Sequence, residues 1–133
     1  MAVNPIPDGY HTMTPYLIVT GAGAFIEFVK QAFGGTERVR AAGPNGAIMH
    51  ADMQLGDSVI MLADASDEAR VKTAMIHLYV ADVDTDYKHA LGAGGESIRE
   101  PTNQAYGDRS AAVNDRWGNE WWLATHIKDV APA

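Results

Sequence analysis

The chain has no cysteine among its 133 residues. That excludes disulfide cross-links, a thiolate nucleophile and any zinc site built on sulfur. Long apolar runs are absent too: nothing approaches the roughly 20 residues a helix needs to cross a bilayer, and no charged-then-apolar leader opens the chain. Basic residues are scarce, with 10 Lys and Arg against 17 Asp and Glu and a formal charge of −7. No Lys/Arg cluster breaks that acidic balance. A nucleic-acid backbone or an anionic membrane requires a basic patch, so neither is an expected partner. Neutral or cationic small ligands are favoured, and the cytosol is the default location. What remains is ordinary for a globular protein, 47% hydrophobic and 20% charged, long enough for one domain or two small modules sharing a core.

The chain repeats itself. Leu78 and Val80 stand 61 residues after Leu17 and Val19, and at the same spacing Gly95 falls on Gly34 and Leu123 on Leu62. Such self-similarity marks two copies of one structural unit. The first copy, about 10–64, reads as a strand over His11–Thr20, a helix over Ala24–Phe33, a strand over Thr36–Ala42 and a hairpin turning at Gly56-Asp57. Apolar spacing picks Phe25, Val29, Ala32 and Phe33 as the helix's buried stripe, with Gly34-Gly35 as its stop. Residues 65–72 are polar and Ala-rich and read as a linker. The second copy, about 73–126, has a strand over Thr73–Val80 and a helix N-capped by Asp82 or Asp84, with Val83, Tyr87, Ala90 and Leu91 as its stripe. A short strand over Ser97–Glu100 follows, then a loop over Pro101–Gly107 and a last hairpin turning at Asn114–Asn119. The arm up to Gly9 reads as extended and the tail after His126 as frayed. The whole is a single α+β domain of two βαβββ modules, whose curved mixed sheets cup a cavity and carry their helices on the outer face.

Strand alternation sorts the side chains. Ala51, Met53, Leu55, Ile60 and Leu62 share the helix side. His50, Asp52, Gln54, Val59, Met61 and Ala63 share the other. In the second module Met75, His77 and Tyr79 face the same way as Glu120, Trp122 and Ala124, opposite Ile76, Leu78 and Val80. The cavity side is polar and aromatic and the helix side apolar, as a ligand-sized pocket requires.

Several stretches together resemble the glyoxalase/bleomycin-resistance/dioxygenase (vicinal oxygen chelate) superfamily, and within it the PhnB-type branch. They are Thr14-Pro15-Tyr16-Leu17, Phe28 to Gly34, Met49-His50-Ala51, Gly56-Asp57-Ser58 with Met61 to Asp64, His77 to Val80, and Tyr106-Gly107-Asp108-Arg109. The resemblance implies the paired βαβββ fold, a small-molecule ligand and a homodimer. In the metalloenzymes of that superfamily each module supplies two metal ligands, and the pattern places those positions on Thr14, Met61, Met75 and Trp122. A thioether suits soft metals and an indole has no lone pair to give. No metal cofactor is therefore expected, which speaks against glyoxalase I or extradiol dioxygenase chemistry.

His50 and His77 are the candidate catalytic residues, a pair able to move a proton near neutrality in an isomerase or lyase reaction. A displaced metal site with Asp52 orienting one ring, or two histidines satisfied within a polar sheet, are the other readings. Tyr16, Tyr79 and Trp122 can stack on a flat or cationic ligand, or fill a core. Thr14, Asp52, Met61, Met75 and Tyr106 complete the candidate substrate-binding set with Arg109. That arginine either pairs with Asp108 or grips an anionic group. Sequestration of an aromatic or cationic compound without turnover is the alternative function. His11, His89 and His126 read as solvated.

Overall fold

The computed structural model describes residues 3–131, so the first two residues of the expected arm and the last two of the expected tail lie outside the described residues. The fold is α+β, two βαβββ modules in succession. In the first, β1 (Tyr16–Val19), α1 (Ala22–Phe33), β2 (Thr36–Ala42), β3 (Ile48–Leu55) and β4 (Ser58–Asp64) form a sheet ordered β1-β4-β3-β2. In the second, β5 (Met75–Tyr79), α2 (Val83–Gly92), β6 (Glu96–Asn103), β7 (Asp108–Asn114) and β8 (Glu120–His126) form one ordered β5-β8-β7-β6. Both are mixed: β1/β4 and β5/β8 are parallel, and the other pairings antiparallel. Among the described residues no helix is long and apolar enough to cross a membrane.

By contacts the chain groups into two units. One runs through Lys30 and Gly34–Lys72; the other takes Gln31–Phe33 together with the chain from Thr73 onward. Residues 65–72, expected as a linker, belong to the first unit. Lys72 and Ile18 exchange two backbone hydrogen bonds of 2.9 Å, which gives β1 a partner on its outer edge.

The duplication is visible in the joints. In the first unit Asp64, at the end of β4, accepts the amides of Ala22 (2.7 Å) and Gly21 (3.2 Å) through Oδ1 and that of Ile48 (2.7 Å) through Oδ2. In the second, Thr125 near the end of β8 accepts the Val83 amide at 2.9 Å. Both donors and both acceptors are 61 residues apart (22 to 83, 64 to 125). A strand end thus caps each helix, supplying the acceptor that the first helical amides lack. This explains why α1 starts at Ala22 and not Ala24: its cap lies 42 residues away in sequence. The spacing slips by one at the helix exits. The amides of Gly35 and Gly95 bond the carbonyls of Val29 and Ala90, so Gly95 is the counterpart of Gly35 and not of Gly34.

Other boundaries move for local reasons. β1 begins only after Pro15, which has no N–H to give but whose carbonyl takes the Met61 amide. β6 runs on through Pro101, because it is an edge strand and its register is broken between Arg99 and Thr102. Leu91, expected in the α2 stripe, is 37% exposed, whereas Val83, Tyr87 and Ala90 are buried. The Asn114–Asn119 turn is built on Asp115, whose carboxylate accepts the amides of Trp117 and Asn119, the Asn119 side chain and the Trp121 indole. The tail does not fray at once, since the amides of Ile127 and Lys128 both bond the Gly107 carbonyl.

Candidate functional site

On the first sheet, alternation places buried apolar groups on one face and polar ones on the other. Ala51, Met53, Leu55, Ile60 and Leu62 are buried, and the two-residue Gly56-Asp57 turn sets the register by pairing Leu55 with Ser58. The other face carries Tyr16, Met61 and Asp52 in one register row, β1 to β4 to β3, with His50 two residues from Asp52.

These side chains are wired together. The Asp52 carboxylate is 3% exposed, a costly place for a charge without donors. It has two. His50 Nε2 lies 2.5 Å from Oδ1, and the Tyr10 hydroxyl donates to Oδ2 in a short bond. With Nε2–H committed to the carboxylate, the neutral imidazole has its lone pair on Nδ1, which accepts the Tyr16 hydroxyl at 2.9 Å. The bond to Asp52, then burial, holds the Tyr10 phenol above its ordinary value. Tyr10 follows the Pro-Asp-Gly turn and is fixed from the other side by Arg38. That guanidinium lies 4.8 Å from the Tyr10 ring centre and donates to Gln54 Oε1 (3.0 Å) and to the carbonyls of Asp8 (3.3 Å) and Gly9 (3.5 Å). Tyr10, at the junction between the arm ending at Gly9 and the first module, has no role legible in the sequence; no local pattern signals that it docks on β3.

The first unit also contains a cleft of about 710 Å³, walled by Ile18, Ile48, Met49 and Ala63, closed by the 65–69 segment, and bordered by Tyr16. Tyr16 is 43% exposed. It therefore faces the cleft while its hydroxyl touches His50.

The polar face of the second sheet is organised differently. His77 pairs in register with Trp122, as Tyr16 pairs with Met61. The His77 and Tyr79 rings are 4.9 Å apart. The Tyr79 hydroxyl donates to Asp108 Oδ2 at 2.9 Å, and His126 Nδ1 meets Asp108 Oδ1 at 2.8 Å. The second His126 nitrogen lies 2.7 Å from Asp129 Oδ1. His126, expected to be solvated, thus bridges two carboxylates. The bond from His126, ahead of that from Tyr79, holds the Asp108 carboxyl below its usual range. The bonds to Asp129 and Asp108 raise His126, and the bond to Asp108 raises the Tyr79 phenol.

The remaining candidates fall as follows. Thr14 is half-buried in the segment before β1, Met75 opens β5 largely exposed, and Tyr106 is exposed in the β6–β7 turn. Arg109 pairs with Thr125 and so lies on the helix side of its sheet. Its guanidinium grips Asp84 of α2 at 2.8 and 2.9 Å, with Asn103 Oδ1 at 3.0 Å. Its partner is therefore Asp84 rather than the neighbouring Asp108, because adjacent strand residues point to opposite faces. Arg99, not singled out from the sequence, lies over Trp122. Thr14, Met61, Met75 and Trp122 do not make a donor set for a hard or borderline divalent ion, and among the described residues no three His, Asp or Glu side chains are grouped to hold one.

The model of the Glyoxalase/Bleomycin resistance protein/Dioxygenase superfamily matches residues 10–123. The chain belongs to this superfamily. It is 31% identical over 141 residues to an uncharacterized protein of Mycobacterium bovis, a match covering 98% of this chain and 90% of the relative. An uncharacterized Mycobacterium tuberculosis protein matches at the same identity, with 81% of its length covered. Among solved structures, TioX from a Micromonospora species has a similar fold, with a TM-score of 0.74 at 22% identity over 88% of this chain and 99% of TioX. So has a PhnB protein from Bacillus cereus, with a TM-score of 0.68 at 15% identity over 86% of this chain and 99% of that one. At such identities the likeness concerns the fold.

Proposed function

We propose that this superfamily member is a small-molecule enzyme, of the PhnB-type branch by its motifs, that moves protons through Tyr16, His50 and Asp52 without a metal. The observation that carries this is the order of the hydrogen bonds: buried carboxylate, imidazole, then a phenol at the edge of a cleft. Asp52 fixes the ring so that Nδ1 faces Tyr16. When the phenolate oxygen of Tyr16 takes a proton from a carbon next to a substrate carbonyl, the phenol's own proton has passed to Nδ1. The imidazolium that results is stabilised against Asp52, and the substrate is left as an enolate. Return of the proton to a different carbon gives an isomer, and loss of a leaving group from the enolate gives a lyase product. His77 has its ring against Tyr79, and among the described residues no carboxylate is hydrogen-bonded to it to fix its tautomer, so the base role falls on His50 and His77 becomes a ligand contact.

The test is proton–deuterium exchange at the α-carbon of a panel of small carbonyl compounds, followed by NMR in heavy water. His50→Ala and Tyr16→Phe should each slow exchange by about 100-fold or more; exchange that persists unchanged in both removes the relay. The exposed Tyr79, with its ring against His77, the register partner of Trp122, supports a second reading, sequestration of a flat compound without turnover. Tight binding that survives His50→Ala and fails in Trp122→Ala, with no product formed, would favour it.

A further inference from the structure

One register row crosses the whole polar face of the second sheet: His77 on β5, Trp122 on β8, Ala112 on β7 and Arg99 on β6. Strands two apart lie roughly 9–10 Å from one another, so a side chain on β6 reaches β8 only if the strand between offers no bulk. Ala112 is buried and offers none. Arg99 lies across it, with its guanidinium carbon 5.1 Å from the centre of the Trp122 ring and Nη1 3.3 Å from Ser110 Oγ. Trp122 is itself held, its indole N–H donating to Glu120 Oε1 at 2.8 Å in the next register row.

The guanidinium is thus positioned by Trp122 and Ser110. Among the described residues it bonds no carboxylate, and one hydroxyl uses one of its five N–H donors. Arg109 on the next strand commits three donors to Asp84 and Asn103. Arg38, one register position away in the first module, is occupied by Gln54 and the carbonyls of Asp8 and Gly9. An arginine stacked on an aromatic face with its donors open is arranged for planar, bidentate recognition of an anion. At the other end of the row His77 and Tyr79 offer further ring surface.

We propose that Arg99 is an anion-binding residue, and that the row from His77 through Trp122 to Arg99 takes a planar carboxylate, an aromatic or enolic acid. The carboxylate bonds the open edge of the guanidinium and the flat body rests on the ring surface. The proposal goes beyond the Tyr16–His50–Asp52 relay and does not rest on it.

The full-length protein would be titrated with naphthoate and with the uncharged naphthamide, following the indole N–H resonances by NMR and the affinity by calorimetry. Naphthoate should saturate, shift the Trp122 indole signal, and bind at least about tenfold more tightly than the amide, as a charged hydrogen-bonded pair implies. Arg99→Gln should reduce naphthoate to the amide's affinity and Arg99→Lys should keep part of the difference. Arg116→Gln, which removes the same charge from the pair Arg116–Trp117, should change nothing. Arg99 is exposed, and an unchanged melting curve establishes that its variants fold. No saturable naphthoate binding, equal affinity for acid and amide, or undiminished affinity in folded Arg99→Gln would each overturn the proposal.

Discussion

Replacing Gly107 by alanine tests how the C-terminal segment is held over the second sheet. Gly107 has φ +102°, a conformation that L side chains rarely adopt, and a Cβ there would overlap the Lys128 carbonyl oxygen, with the Lys128 carbon and Val130 Cγ2 each 3.2 Å away. The obstacle is backbone, not the mobile end of a side chain, so the segment must lift off. It would then lose the bonds from the Ile127 and Lys128 amides to the Gly107 carbonyl, now 2.9 and 3.1 Å. The backbone conformation alone costs about 1–3 kcal/mol, and two hydrogen bonds add about 0.5–1.5 kcal/mol each, so Gly107→Ala should destabilise by about 2–6 kcal/mol. Gly94 is the matched control: its φ is +105°, but the nearest atom to an added Cβ is Arg116 Nε at 3.9 Å, and only the conformational part applies. Urea melts of the two variants should therefore differ by about 1–3 kcal/mol. In a chain ending at His126 the difference should vanish, because nothing is left to collide with. Equal losses for Gly107→Ala and Gly94→Ala in the full chain, or an excess that survives truncation, would refute the reasoning.

Asp64→Asn leaves one acceptor where two carboxylate oxygens serve three amides, and should cost about 2–4 kcal/mol in urea melts; its counterpart Thr125→Val gives up two neutral bonds, from the Val83 amide and to the Val80 carbonyl, and should cost about 1–3 kcal/mol. Arg109→Gln should destabilise the second unit through loss of its grip on Asp84 and leave naphthoate binding intact, since the side chain lies on the helix side of the sheet. Protection of the Ile127 and Lys128 amides from hydrogen exchange should depend on pH in both directions. His126 is raised, so its contribution is full below its ordinary value near 6.5 and lost as pH rises through the raised one. Asp108 is lowered, so its contribution is full above the ordinary carboxylate value near 4 and lost as pH falls through the lowered one. Protection should peak between those limits, and His126→Gln should abolish the alkaline loss.

What the sequence reveals and what it hides divide along a physical line. Period-two alternation around the Gly56-Asp57 turn is local, and it assigns every residue of β3 and β4 discussed above to the face it occupies. The Asp82 cap and the Val83, Tyr87 and Ala90 stripe are local too, and they hold. Contacts between residues far apart in the chain leave no such trace. Tyr10 reaches Asp52 across 42 residues, His126 reaches Asp108 across 18, and Arg99 reaches Trp122 over an intervening strand. Each depends on strand order and on a small residue or a bend elsewhere, so the sequence assigns Tyr10 and Arg99 no contact and presents His126 as a solvated histidine. Arg109 shows the opposite failure, in which a charged neighbour in sequence suggested a partner on the wrong face.

The two modules share their scaffold and not their chemistry, and that division bears on function. Positions that cap helices and set register are matched: Ala22 with Val83, Asp64 with Thr125, Leu62 with Leu123. The polar faces are not. Register pairs Tyr16 with Met61 and Met61 with Asp52 in the first sheet; the corresponding places in the second are His77, Trp122 and Ala112. The exchange of Asp52 for Ala112 has a direct consequence. A buried carboxylate at that place anchors the His50 imidazole and the Tyr10 phenol, whereas a methyl group clears a path for an arginine to lie across the strand. The proposed proton relay and the proposed anion site are thus alternative uses of one place in a duplicated sheet. Introducing Asp at position 112 should accordingly draw Arg99 into an ion pair and abolish the preference for naphthoate over naphthamide; a preference that persists would mean that the guanidinium does not lie across that strand.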